Sequence, residues 1–415
     1  MREMKDSGIE WVGKIPHCWN TSKLKYLGQY INGYAFKPEE WGSKGVPIIR
    51  IQDLTGSNDN PNYFEGQIDK KYWVENGDIL ISWAATLDAF IWNKGNGWLN
   101  QHIFKAVPNR RIINYDFFFW MIKESMKNMN NDNKHGIFMQ HVTLSVFNNF
   151  TIPMPPLAEQ ERIAAFLDAQ CAEIDAVLEK TRASIEEYKK LKQAIITQAV
   201  TKGIRGDRPM KDSGIEWIGD IPVEWDVIRV KQLLKERNER SKEGKEEPLS
   251  MSQKVGLVPT KFLESIPNMA SSFVGAKLAY VDDLVFNKLK AHLGVFSVSR
   301  YDGLVSPDYA VYCSTGKSNL KYLEYIFKTP QCIGEFRKKS TGIAAGLMRL
   351  YTEGLFSIYL PYPALSEQEE IAEYLNEKCA GIDALIVKKQ QYLTEIENYK
   401  KSLIYEYVTG KKEVV

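Results

Sequence analysis

At 415 residues the chain is longer than one hydrophobic core usually serves, and roughly 100 to 200 residues per domain points to two or three domains. The formal net charge is only +2, so any polyanion partner must meet local positive charge or be shared with another subunit. No run approaches the ~18 apolar residues of a membrane span, and the opening MREMKDSGIE lacks a signal-peptide core, so the expected location is the cytoplasm. The five cysteines are scattered and never spaced C-x-x-C, which argues against a disulfide framework and a zinc site.

In chain order, a constant segment at 1–20 carries Met4-Lys-Asp-Ser-Gly-Ile-Glu-Trp11, then Ile15-Pro16 and Trp19. It returns at 204–226 as Met210-Lys-Asp-Ser-Gly-Ile-Glu-Trp217, Ile221-Pro222 and Trp225, an internal duplication. Between the copies, a variable segment at 21–156 shows strand-like runs at 46–51, 78–82 and 89–92 and a helical run at 115–126. A second variable segment, 227–363, shows strand-like runs at 278–281, 284–286 and 294–298 and a helical run at 320–327, yet shares little sequence with the first. After each comes a second constant block. Leu157-Ala-Glu-Gln-Glu161 opens 157–203, and Leu365-Ser-Glu-Gln-Glu369 opens its copy in 364–410.

Pro155 and Pro156 forbid a helix before them, and no Pro or Gly follows until Gly203, so 157–203 reads as one helix. In the copy, Ser366 and Glu369 have the spacing of a capping box. Steps of four and three give a seam of Ile371, Leu375, Lys378, Ile382, Leu385, Lys389, Tyr392, Ile396, Tyr399 and Leu403. Its counterpart is Ile163, Leu167, Gln170, Ile174, Val177, Thr181, Ser184, Tyr188, Leu191 and Ile195. An ordinary surface helix is the simpler alternative, but about 42 residues at about 1.5 Å each make about 60 Å, longer than a compact domain needs. An antiparallel coiled-coil pair follows, because a whole module intervenes and the chain must return. Cys171 and Cys379 sit beside this seam at equivalent positions and read as small packed residues. The fold class expected is α+β: two mixed α/β modules, a pair of long antiparallel coiled-coil helices, and an internal pseudo-twofold duplication.

These residues together resemble the specificity subunit of Type I restriction-modification systems, the HsdS family, over essentially the whole chain. The carriers are the two Ser-Gly-Ile-Glu-Trp repeats, the proline-then-Glu-Gln helix starts at 155–160 and 363–368, and the two helices. Val74-Glu-Asn-Gly-Asp-Ile-Leu80, Asn100-Gln101-His102 and Leu304-Val-Ser-Pro-Asp-Tyr309 also look like family phrases. Pro361-Tyr362-Pro363 departs from the Pro-Pro of the first copy. The resemblance implies that each variable segment is a target recognition domain reading half of a bipartite double-stranded DNA site, with the coiled coil setting the gap. It also implies docking of two modification subunits (HsdM) and a motor-nuclease restriction subunit (HsdR), with S-adenosylmethionine, ATP and Mg bound on those partners and no cofactor in this chain. A duplicated scaffold binding non-DNA ligands is the alternative that coil and repeat alone permit.

The sequence carries no glycine-rich cofactor turn, no Asn/Asp-Pro-Pro-aromatic stretch and no metal-ligand spacing among its five histidines, so it reads as a recognition subunit and not as an enzyme. Ser314-Thr-Gly-Lys-Ser318 resembles the end of a P-loop, but Val311 stands where the first glycine is required, so a turn before the 320–327 helix is expected. Direct readout needs Arg, Lys, Gln or Asn presented at loops, since only these match base edges in pairs. The first module offers Arg50, Gln52 and Asp53, then Lys134 and His135 with Gln140. The second offers Gln253 and Lys254, Asn287, Lys288 and Lys290, and Arg337, Lys338 and Lys339 with Arg349.

Overall fold

The computed structural model describes residues 2–58, 60–132, 141–253, 255–263, 273–342 and 348–414. The chain is α+β and divides into two compact units, one formed by Met1–Thr181 with Gln391–Val415 and the other by Arg182–Gln390.

Unit 1 opens with a hairpin in which Met4–Asp6 pairs with Lys14–Pro16. Its Asp6 carboxylate accepts from the Gly8 N–H at 3.0 Å, where Gly8 turns the chain at φ 69°. Asn20–Lys23 then pairs antiparallel with Thr151–Met154, which closes the module on itself. Its main sheet has the order Gly28–Asn32, Ile103–Pro108, Ile79–Ser82, Asp88–Ile91, all antiparallel. A second four-stranded sheet orders Tyr63–Phe64, Val46–Ile49, Gly97–Leu99, Trp73–Val74. Helix α1 (Ile51–Thr55) follows Val46–Ile49 directly, so the expected strand at 46–51 ends two residues early. Helix α2 (Tyr115–Asp132) buries Phe117, Phe118, Met121 and Ile122, and α3 (Leu144–Asn149) buries Phe147.

Helix α4 (Leu157–Lys202) begins where Pro155 and Pro156 end. Unit 2 then repeats unit 1. Met210–Asp212 pairs with Asp220–Pro222, and Asp226–Arg229 pairs with Tyr359–Tyr362. The main sheet orders Leu234–Arg237, Tyr309–Ser314, Leu284–Asn287, Phe296–Val298, the topology of its counterpart in a different sequence. Helix α5 (Leu320–Phe327) falls on the expected span and is capped by Asn319, after the expected turn at Gly316 (φ 89°). Helix α6 (Pro330–Lys339) starts at Pro330 on a Thr329 cap, where the sequence suggested a loop. The short α7 (Thr352–Phe356) precedes α8 (Leu365–Val408). Because α8 begins at Leu365, Ser366 lies in the first turn and the Ser366/Glu369 capping box does not form.

The two long helices run antiparallel in each unit. In unit 1, Lys400 reaches Asp175 at 2.6 Å and Phe166 packs on Tyr407 at 4.4 Å. In unit 2, Lys192 reaches Asp383 at 2.5 Å and Lys389 lies 5.6 Å over Tyr188. The seam has the expected period but a different phase. Leu167, Leu375, Ile371, Ile163, Ile382 and Leu403 are buried, and Ile174, Tyr188, Ile195 and Ile396 are partly buried. The alternate positions shift by one: Cys171, Leu178 and Ile185 replace Gln170, Val177 and Ser184, and Cys379 replaces Lys378. Val177, Leu191, Leu385, Tyr392 and Tyr399 are exposed. Cys171 and Cys379 thus lie in the seam and not beside it, and burial raises both thiols, Cys171 to about 11.

Candidate nucleic-acid interface

The repeated Glu-Gln pair explains why these motifs recur together. The Glu159 carboxylate accepts from the buried Trp19 indole N–H at 3.0 Å and pairs with Arg2 at 2.5 Å. Glu367 does the same for Trp225 at 2.9 Å and Arg208 at 2.6 Å. Bonds to Glu413 first, then Glu159, raise Arg2 above the usual guanidinium value. Burial opposes charge on Arg208, but its bonds to Glu367 and Glu224 outweigh that and leave it raised. The neighbouring glutamine ties the module on: Gln160 accepts from the Asn114 N–H at 2.7 Å and Gln368 from the Asn319 N–H at 3.0 Å. Asn114 and Asn319 in turn accept from the Phe117 and Tyr322 N–H groups in the first turns of α2 and α5. Each helix start therefore fixes the position of a module.

On that frame, unit 2 gathers most of its candidate residues. Lys288 follows Leu284–Asn287 directly; its N–H donates to the Asp308 carbonyl at 3.1 Å and its carbonyl accepts from the Leu350 N–H at 3.0 Å. The Lys288 ammonium donates to the Pro307 carbonyl at 3.2 Å, and Arg349 pairs with Asp308 at 3.2 Å. Burial, together with the charges of Lys277 and Arg349, holds Lys288 below its ordinary value. Asn287 is taken up locally, its side-chain oxygen accepting from the Leu289 N–H at 3.1 Å. Lys290 is exposed beside it.

Arg337, Lys338 and Lys339 form the last turn of α6, where cations also suit the helix dipole. Arg337 donates to the His292 carbonyl at 3.4 Å, while Lys338 pairs with Glu335 at 2.7 Å. Lys339 is exposed. His292 and Arg337 also line a cleft of about 850 Å³ shared with Arg300, Lys328 and Tyr325. Burial first and Arg337 second keep the His292 imidazole below its usual value, and its Nδ1 has no partner among the described residues. Gln253 donates to the Leu293 carbonyl at 3.0 Å, tying a hairpin to this loop.

Unit 1 uses its candidates differently. Arg50 stacks 4.9 Å over Trp41 and donates to the Asn62 side chain at 3.0 Å. Asp53 accepts from the Arg50 backbone N–H at 2.8 Å and from Asn58 at 2.6 Å, so it caps α1. The two were expected in a loop; the structure places both at a helix start, where the Asp53 carboxylate caps the Arg50 N–H and the Arg50 guanidinium lies on Trp41 and Asn62. Gln52 is exposed on the same turn. Lys134, His135 and Gln140, like Lys254 of the second module, lie outside the described residues. Among the described residues no cluster of His, Cys, Asp or Glu could hold a metal ion, and no helix is long and apolar enough to cross a membrane.

Residues 16–187 match the family model described as Type I restriction modification DNA specificity domain. The specificity subunit of the Type I restriction enzyme EcoBI from Escherichia coli is 22% identical over 99% of this chain and 90% of its own. The MjaVIII specificity subunit of Methanocaldococcus jannaschii is 24% identical over 97% and 94%. Among solved structures, a chain from a study of complex assembly and conformational transition of the type I R-M system superposes with TM-score 0.72 at 16% identity, over 96% of this chain and 99% of that one. The HsdS subunit from Thermoanaerobacter tengcongensis gives TM-score 0.52 at 16% identity, over 96% and 98%. At these identities the likeness to solved structures is one of fold.

Proposed function

We propose that this chain, which belongs to the family of Type I restriction-modification specificity subunits, selects a bipartite DNA target, each module reading one half-site. The observation that carries the reading is the convergence of Lys288, Lys290, Arg337 and Arg349 at one end of the second module's main sheet. Those side chains meet phosphates and base edges there, whereas the Glu-Gln staples and the helix seam hold each module on its frame. The paired helices set the gap between half-sites. Two modification subunits and a restriction subunit supply the chemistry, with S-adenosylmethionine, ATP and Mg bound on those partners. The chain itself supplies address and spacing.

The test is co-expression of the full chain with its modification subunit, followed by selection from duplexes carrying random half-sites at a range of gaps. The expected product is one split motif at one gap. Recovery of DNA without sequence enrichment would overturn the reading. Inserting one heptad into α4 and its match into α8 should change the gap and leave both half-sites intact.

A further inference from the structure

Accepting that function, the second module's cationic patch has a counterpart in the first module, built on the same backbone from different side chains. Trp83 follows Ile79–Ser82 as Lys288 follows Leu284–Asn287. The Trp83 N–H donates to the His102 carbonyl at 3.3 Å, as Lys288 does to Asp308. The Trp83 carbonyl accepts from the Val142 N–H at 2.9 Å, as Lys288 does from Leu350. Trp83 therefore stands for Lys288, His102 for Asp308, Gln101 for Pro307, and His141 for Arg349. These hydrogen bonds identify the matches where the variable sequences do not align.

Three of the exchanged side chains, Trp83, His102 and Gln101, lie together. The Trp83 indole N–H donates to Asn32 at 3.1 Å, its ring stacks on Phe104 at 5.7 Å, and the His102 ring lies 5.4 Å away. The Gln101 amide nitrogen is 3.3 Å from His102 Nε2. His102 and His141 are exposed, and Trp83 and Gln101 are half-buried. Two residues beyond Trp83, Ala85 adopts φ 59°, a left-handed conformation that L side chains rarely take. Such strain gathers at ligand-contacting turns, and here it shapes the tip beside the cluster.

We propose that Gln101 and His102, beside the Trp83 ring, together with His141, whose backbone bridges Ala84, form the base-reading edge of the first module. A glutamine amide offers a donor and an acceptor side by side, the pattern that matches adenine in the major groove, and each imidazole adds a single donor or acceptor. Trp83, held through Asn32 and Phe104, keeps these groups in place. No lysine or arginine occupies the four matched positions, whereas the second module places Lys288 and Arg349 at two of them. The second module reads through cations at the same places. The two modules would then differ in chemistry as well as sequence.

The experiment uses the full chain with its modification subunit and the random duplex pool. Gln101→Ala with His102→Ala should lose about fivefold or more of the preference at one or more positions of one half-site, leaving the other half and the salt slope unchanged. Lys288→Ala with Arg349→Ala should disturb the opposite half-site and lower the slope of log K against log salt by about 2, near 0.9 for each phosphate no longer neutralised. Selection of the wild-type motif in both halves by the Gln101/His102 variant would overturn the proposal, as would equal loss in both halves at wild-type melting temperature. If that double variant melts early, the exposed His102→Ala single variant decides by the same readout. Failure of the wild-type complex to select any split motif would instead sink the proposed function.

Discussion

Replacing Glu367 by alanine removes the acceptor shared by the buried Trp225 indole and the Arg208 guanidinium, 2.9 and 2.6 Å away. The Glu367 and Arg208 side chains are 6% and 11% exposed, and Trp225 is fully buried. Breaking a buried pair by deleting one partner destabilises by about 3–5 kcal/mol, because the remaining charge is left uncompensated. Arg208 keeps the exposed Glu224 at 2.7 Å and the Trp225 ring face at 5.3 Å, which places the effect at the lower end, about 3 kcal/mol. For a unit of this size, about 2–4 °C per kcal/mol gives a fall of about 6–12 °C in the melting of unit 2. Calorimetry, with hydrogen exchange at 208–225 to assign the transition, measures it. Glu367→Gln keeps an acceptor for the indole and should fall in between. Glu159→Ala should act alike in unit 1, softened by the Arg2–Glu413 pair at 2.8 Å. A fall below about 3 °C in Glu367→Ala, under ~1 kcal/mol, would refute the clasp as a main attachment of the repeated motif.

Three further outcomes follow from the packing. Leu375→Ala, at a fully buried seam position, should cost about 2–5 kcal/mol, whereas Leu385→Ala at 44% exposure should stay within about 0.5 kcal/mol; equal effects in urea unfolding would contradict the seam phase. Asp383→Asn should weaken unit 2 by less than about 1 kcal/mol, since Lys192 and Asp383 are 29% and 54% exposed, and a double-mutant cycle with Lys192→Met checks it. His292 is held below its ordinary value, so the unfolded chain takes up a proton at a pH where the folded chain does not. Its contribution is present above pH about 6.5 and is lost as pH falls below that, down through the lower folded value. Between pH 7.5 and 5.5 the wild-type melting temperature should therefore drop more steeply than that of His292→Gln, and parallel profiles would contradict the assignment.

The sequence alone determined the duplication, the α+β class, both long helices and the α5 span, because each rests on local signals: repeated motifs, prolines at helix starts, and apolar spacing. Seam phase was not local. Val177-Leu178, Leu385-Ile386 and Tyr392-Leu393 are adjacent apolar pairs, either member of which satisfies a seven-residue repeat, and only the facing helix selects which member is covered, fully at Leu178 and partly at Ile386 and Leu393. The same limit applied to the interface. Asp53 read as a loop residue until a three-residue contact made it the cap of a helix, and Arg50, read in the same loop, stacks its guanidinium on Trp41. Arg337 to Lys339 read as a loop until Thr329 and Pro330 started a helix. Lys288 and Arg349, or Trp83, His102 and His141, are far apart in the chain and meet only because backbone hydrogen bonds at the sheet's end bring Leu350 to Lys288 and Val142 to Trp83. Those contacts belong to the tertiary structure, since no local propensity encodes which distant backbone groups will satisfy one another.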